Sequence, residues 1–126
     1  MTKPLAVGVA GLGTVGTGVL TLLRDNAETV AARAGRPIAV TAVSSRDRTK
    51  DRGVSLAGLR WYEDPVALAA DPAVDVVVET IGGTQGPAAD LVRAALAAGK
   101  PVVTANKALL AVHGAEIAQL AEAKNV

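Results

Sequence analysis

The chain has 126 residues, half of them apolar, a net charge of +1 and no cysteine. These values exclude a disulfide scaffold, a thiolate zinc site and a cysteine nucleophile, and they give no ground for a nucleic-acid or membrane-surface partner. The length suffices for one domain with a real core. Trp61 and Tyr62 are the only aromatics, so that core is built from small aliphatic side chains, which suits helices on a Val-rich parallel sheet better than a β-sandwich.

Strand and helix signals alternate along the whole chain. Met1 to Pro4 and the apolar run behind it have the outline of a signal peptide, but the run is short and glycine-rich and continues into a patterned helix, so it is read as mature protein. No apolar run reaches spanning length. Residues 5–10 form a first strand candidate. Residues 14–34 carry helical spacing through Val15, Val19, Leu22, Leu23 and Val30, and Gly35 and Pro37 close that helix. Residues 38–43 are β-branched, a second strand, and 44–58 are polar and glycine-punctuated, a loop. A short third strand is expected over 59–62. Asp64 and Pro65 then form an N-cap and first helical position, with the helix over 65–70. Residues 74–79 carry the continuous apolar run of a strand buried on both faces. Gly82 and Gly83 break it. A helix over 87–98, a fifth strand over 101–104 and an amphipathic helix over 108–124 complete the pattern. Strands separated by helices require parallel pairing. The expected fold is therefore an α/β, Rossmann-type doubly wound sheet in the order 3-2-1-4-5 with helices on both faces. The chain ends where such a fold usually adds another strand, so residues 1–126 are expected to be one dinucleotide-binding domain of a longer protein.

The first strand hands over to the first helix through Gly11, Gly13 and Gly16, a GxGxxG spacing. The first glycine allows a tight turn, the second a close approach of backbone to a pyrophosphate, and the third close helix–strand packing. The helix start aims free N–H groups and its positive dipole end at the phosphates. A glycine corner used only for packing, or one serving S-adenosylmethionine, is the alternative. An NAD site usually has an acidic residue at the end of the second strand. Here Ser44, Ser45 and Arg46 stand there, a set suited to a 2′-phosphate. Lys50 adds a second charge if the loop curls back. Asp47 is still able to serve a ribose hydroxyl, so the expected cofactor is NADP with NAD possible.

In open α/β sheets ligands lie beyond the carboxyl ends of the strands. The fourth strand runs out through Thr80, Gly82 and Gly83, where bare backbone suits a ribose or nicotinamide; Glu79 beside them is read as a structural hydrogen-bonding group rather than a catalytic one. After the fifth strand Asn106 is a natural N-cap. Lys107 then puts a cation in a first helical turn, against the dipole. That breach of a local rule marks it as a candidate to hold the ribose or a substrate oxygen, or to shuttle a proton. His113 falls on the apolar stripe of the last helix and is read as a packing residue. No metal cluster or nucleophile elbow is present in the sequence.

The segments "GVAGLGTVGTGV", "VVVETIGG" and "GKPVVTANKALLA" together resemble the cofactor domain of homoserine dehydrogenase, over nearly the whole chain, with "TANKALLA" the most specific part. The resemblance implies reversible reduction of aspartate 4-semialdehyde to homoserine with NADPH or NADH, in synthesis of threonine, methionine and isoleucine. It implies a cytoplasmic enzyme, a homodimer through a domain beyond this one, and a small-molecule substrate. Carried over by position, it implies cofactor contacts from Gly11, Gly13, Thr14, Val15, Gly16, Thr80 and Lys107, a 2′-phosphate contact at Arg46, and a proton-handling role for Lys107. The family's substrate contacts, second catalytic lysine and regulatory ACT domain have no counterpart here, so the chain alone is expected to bind cofactor without turnover. Two alternatives share the same cofactor half: another reductase such as aspartate dehydrogenase, and a non-catalytic module sensing the NADPH/NADH balance.

Overall fold

The computed structural model describes residues 3–126; Met1 and Thr2, the start of the signal-peptide outline, lie outside the described residues. Five strands, β1 (Leu5–Ala10), β2 (Ile38–Ser44), β3 (Arg60–Tyr62), β4 (Val76–Glu79) and β5 (Val102–Thr104), form one sheet in the order β3-β2-β1-β4-β5. Every pairing is parallel. This is the expected doubly wound order. Helices α1 (Thr14–Asp25), α2 (Ala27–Ala34), α3 (Pro65–Ala70), α4 (Pro87–Ala97) and α5 (Lys107–Ala123) connect and follow the strands.

Alternation along the strands divides the core between two faces. Val7 and Val9 of β1 join Leu20 of α1 and Val43 of β2 on one side. Ala10, Ala42 and Val77 join Leu68 of α3 and Leu91 and Ala95 of α4 on the other. Close packing explains Gly8: a Cβ there would stand 2.7 Å from Leu68 Cδ2. A third cluster, Ala89, Val92, Leu96 and Leu109, joins α4 to α5.

Three sequence expectations are corrected. The single helix over 14–34 is two helices, because at Asn26 the backbone leaves helical geometry (φ −117°, ψ 24°), and its N–H and side-chain amide both donate to the Leu22 carbonyl, at 3.1 and 2.9 Å. The fourth strand starts at Val76 rather than Val74, since Val74 N–H closes a turn onto the Asp71 carbonyl and Asp75 meets Ala6 by both its N–H and its carboxylate. The last helix is less amphipathic than expected: Leu109 is buried, while Leu110 and Val112 are exposed.

The second strand also holds an unexpected irregularity. Its register against β1 slips between Val7 and Gly8, so that Val40 and Ala42 face successive β1 residues and Thr41 is left over. The extra residue resets the side-chain phase. Ile38 and Val40 pack on the α1 face, and beyond the slip it is Val43 that does so, with Ala42 on the α3 face.

Candidate functional site

Four buried polar residues stand out in the fold: Ser44, Asp71, Glu79 and Asn106. Three of them lie at or just past the carboxyl ends of strands. Buried polar groups demand partners, and those partners shape the crevice there.

At the end of β1 the three glycines have three different surroundings. Gly11 has φ +95°, a left-handed conformation, and a Cβ on it would stand 2.8 Å from the Thr80 carbonyl group. On Gly16 a Cβ would lie 1.8 Å from the Gly11 carbonyl oxygen. Gly13 differs: its φ of −78° suits any residue, and among the described residues nothing beyond its chain neighbours lies within 4 Å of where its Cβ would be. Fold and backbone thus require glycine at 11 and 16 but give no reason for it at 13. Gly13 is the N-cap position of α1, where no side chain caps the helix and no acidic residue occupies the first turn. By contrast Asp64 caps α3 by accepting from Val66 N–H at 2.9 Å, and Asn106 caps α5 by accepting from Leu109 N–H at 3.0 Å.

A cleft of about 460 Å³ opens beside this corner. Gly11, Leu12 and Gly13 form one wall. Residues 44–47 with Lys50 and Arg52 form another, and Thr80, Ile81 and Pro87 close it from the β4 side. The loop after β2 curls back over the cleft because both its aspartates make local turns. Asp47 accepts from the N–H and hydroxyl of Thr49 at 2.9 and 2.7 Å, and Asp51 accepts from Gly53 N–H at 2.9 Å. The Thr49 hydrogen bonds, side chain first, hold the Asp47 carboxyl below its ordinary range. Arg52 binds the loop together by donating to the carbonyls of Asp47 and Lys50, at 2.6 and 3.1 Å. Arg48 leaves the cleft to stack 5.7 Å above the Trp61 ring, whose Nε1–H donates to Ser45 Oγ at 2.8 Å. Arg46, Lys50 and Arg52 are therefore brought to the same cleft as Gly11 and Gly13. Sequence reasoning leaves out Arg52; the Asp-x-Thr and Asp-x-Gly spacing of two successive turns is the signal that points to the curl.

A smaller cavity of about 190 Å³ lies toward β5, lined by Val15, Glu79, Thr80, Ile81, Gly82, Ala105 and Asn106. Thr80 and Ile81 belong to both spaces. The Thr80 hydroxyl donates to the carbonyl oxygens of Gly11 and Ala10, at 2.7 and 3.0 Å, which ties β4 to the glycine corner. With its proton so committed, Thr80 offers a ligand only an acceptor and a methyl wall. Gly82 and Gly83 both adopt positive φ, +89° and +90°. Of the sequence candidates, Gly11, Gly13, Arg46, Lys50 and Thr80 line the larger space, and Val15, Thr80 and Gly82 the smaller. Thr14, Gly16, Gly83 and Lys107 line neither, although Lys107 follows Asn106 directly as the first residue of α5. His113 is half-buried on α5, 3.9 Å from Glu116, which forms a two-pronged ion pair with Arg93 of α4. No group of residues suited to a metal ion occurs among the described residues.

Residues 11–126 match the family model described as homoserine dehydrogenase, NAD binding domain. The chain belongs to that family. Its cofactor is accordingly a nicotinamide adenine dinucleotide, NAD(P). A homoserine dehydrogenase of Methylobacillus glycogenes is 50% identical over 109 residues, covering 86% of this chain and 26% of the relative. One of Neisseria gonorrhoeae is 47% identical over 124 residues, 98% and 28% of the two chains. The crystal structure of a homoserine dehydrogenase from Thiobacillus denitrificans superposes with a TM-score of 0.90 at 49% identity, over 98% of this chain and 28% of that one. This dinucleotide-binding domain thus spans little more than a quarter of the relatives it matches.

Proposed function

We propose that the chain is the NADP-preferring cofactor half of a homoserine dehydrogenase, a longer cytoplasmic enzyme that interconverts L-homoserine and L-aspartate 4-semialdehyde and dimerises through its remaining part. The observation that carries the cofactor preference is the meeting of Arg46, Lys50 and Arg52 at one cleft with Gly11 and Gly13. An arginine fork and a neighbouring ammonium suit a phosphate dianion on a ribose 2′ oxygen. Asp47, the carboxylate on that wall, has its Oδ1 engaged by the N–H and hydroxyl of Thr49.

In this reading the uncapped first turn of α1, with Thr14, Val15 and Gly16, directs its N–H groups at the pyrophosphate, and bare Gly13 lets those phosphates approach. Thr80, Gly82 and Gly83 wall the nicotinamide-ribose end. A bound nicotinamide supplies the hydride donor or acceptor for the carbonyl–alcohol interconversion. Lys107, at the start of α5, holds an oxygen of the ribose or substrate and gives a proton to the alkoxide oxygen as the aldehyde is reduced. Substrate binding and the rest of the proton path belong to the part of the enzyme outside this domain, so the domain alone binds cofactor and turns over nothing.

Calorimetric titration of this chain with NADPH and NADH tests the assignment. Wild type should prefer NADPH. Arg46→Ala should weaken NADPH binding about tenfold or more, the loss of a charge-assisted hydrogen bond, while NADH binding stays within about twofold. An unchanged NADPH/NADH ratio would remove Arg46 from the phosphate site. Activity of the whole enzyme on homoserine rather than aspartate separates this reading from an aspartate dehydrogenase.

A further inference from the structure

We propose that Glu79 is a positioning residue, whose carboxylate fixes the β4 loop to the start of α5 and so sets the shape of the nicotinamide end of the crevice. The inference rests on the cofactor reading above. It begins from an anomaly. Strand β4 is otherwise valine, yet its last residue is a glutamate with no exposed surface at all. A buried carboxylate is retained only where donors surround it.

The donors come from two separate segments. One oxygen, Oε2, accepts from the backbone N–H groups of Ile81 and Gly82, at 2.7 and 2.9 Å. Gly82 is itself the first of two consecutive glycines of positive φ, a conformation that a free loop would share with many others. The second oxygen, Oε1, accepts from the Thr104 hydroxyl at 2.5 Å. Thr104 Oγ1 in turn accepts from Asn106 N–H at 2.9 Å, and Asn106 Nδ2 donates to the Gly83 carbonyl at 2.6 Å. The path from Glu79 through the loop to Gly83, and from Gly83 through Asn106 and Thr104 back to Glu79, is a closed ring. Asn106 also caps α5 at its other amide atom. Oriented hydrogen bonds join its covalent segments, so a shift of the loop is coupled to the helix start.

The ring coincides with a wall of the smaller cavity: Glu79, Ile81, Gly82 and Asn106 all line it. Lys107 is the next residue after Asn106. A carboxylate here therefore acts through others. It lines the smaller cavity and not the cleft that holds Arg46 and Lys50, so its loss should be felt by a ligand that carries the nicotinamide and its ribose.

Asn106→Asp tests this without removing the helix cap, because aspartate caps as well as asparagine. It replaces the donor facing the Gly83 carbonyl with an acceptor and breaks the ring. Thr104→Val breaks the ring at its other joint while keeping side-chain shape, and Thr104→Ser restores the hydroxyl. Each variant of this chain is titrated with NADPH and with 2′-phospho-ADP, which lacks both the nicotinamide and its ribose. Asn106→Asp and Thr104→Val should lower NADPH affinity about tenfold and leave 2′-phospho-ADP within twofold, with Thr104→Ser close to wild type. Equal losses for both ligands, or no loss for either, would overturn the proposal, the first by making the ring a general structural support. A wild-type chain that binds neither ligand would instead bring down the cofactor reading and this inference with it.

Discussion

The glycine corner after β1 and the ends of β4 and β5 face the same crevice, and they are built on opposite plans. At the corner, side chains are withheld: α1 starts without a side-chain cap, and no described residue beyond its chain neighbours lies within 4 Å of where a Gly13 Cβ would stand. At the far end, polar groups are closed upon one another through Glu79, Thr104 and Asn106. The difference is one of timing. On the proposed function, donors that await a diphosphate are left for the ligand, whereas a nicotinamide that reacts is held in a geometry fixed in advance.

The strongest way to break the comparison is to fill the corner twice. At Gly16 an added methyl meets backbone 1.8 Å away, where no flexible side chain can yield. Gly16→Ala should cost on the order of 3 kcal/mol or more, by overpacking that only backbone movement relieves. Gly13→Ala should cost no more than about 1 kcal/mol of stability, the difference between a glycine and an alanine N-cap, yet weaken NADPH binding at least tenfold. Denaturant midpoints and calorimetry measure the two effects. A stable Gly16→Ala, or a Gly13→Ala that binds as well as wild type, would erase the distinction between packing glycine and ligand glycine.

Asp71 offers a third kind of polar site, away from the crevice. It follows α3 and serves as a hub unconnected with ligand. Its carboxylate accepts from Ala73 N–H at 2.8 Å and from the Tyr62 hydroxyl at 2.7 Å, and pairs with Arg60 at 3.2 Å. Lys100 reaches the carbonyls of Ala69 and Asp71, covering the end of α3. Desolvation is the largest single influence on the Asp71 carboxyl and pushes it up, but Ala73, Tyr62 and Arg60 together outweigh it and hold the group below its ordinary value of 3.8. A carboxyl depressed on folding contributes stability that is present above its unfolded value and lost as pH falls through its folded one. Asp71→Asn should therefore cost about 2 kcal/mol near neutral pH, and the gap between variant and wild type should narrow below about pH 4. Urea midpoints at pH 7 and pH 3 check this, with NADPH affinity at pH 7 expected to stay within about twofold. An equal gap at both pH values would mean that the ionised carboxylate contributes nothing beyond its shape.

What was legible in the sequence follows from how local the physics is. The turn at Gly11 and the caps at Asp64 and Asn106 depend on residues within three or four positions, and their signatures are readable by eye. Sheet order follows from the alternation of apolar runs and helical stripes. The break at Asn26 was hidden because asparagine is only mildly unfavourable in a helix, and the decisive contact is its amide on the Leu22 carbonyl. The Glu79 ring was hidden for another reason. Its links join residues 25 and 23 positions apart, and nothing in "VVVETIGG" says which hydroxyl will arrive from β5. Arg52 reaches the cleft only because two turns precede and follow Lys50. The slip at Thr41 leaves no trace, since Ile38, Val40 and Val43 are apolar whichever face they take.

At that slip lies a polar atom that serves neither ligand nor ring. Glu79, Thr104 and Asn106 close upon one another, but Thr41 Oγ1 is buried with no hydrogen-bond partner among the described residues. It sits at the one position of β2 without a β1 counterpart. A buried hydroxyl that bonds to nothing carries its desolvation cost without return. Valine has nearly the same shape and adds a methyl in its place. Thr41→Val should therefore leave the fold unchanged and raise stability by up to about 1 kcal/mol, with NADPH and NADH affinities within twofold of wild type. A loss of stability of about that size would show that the hydroxyl helps hold the bulge. The phase switch from Val40 to Val43 would then rest on a polar contact rather than on the apolar faces that surround it.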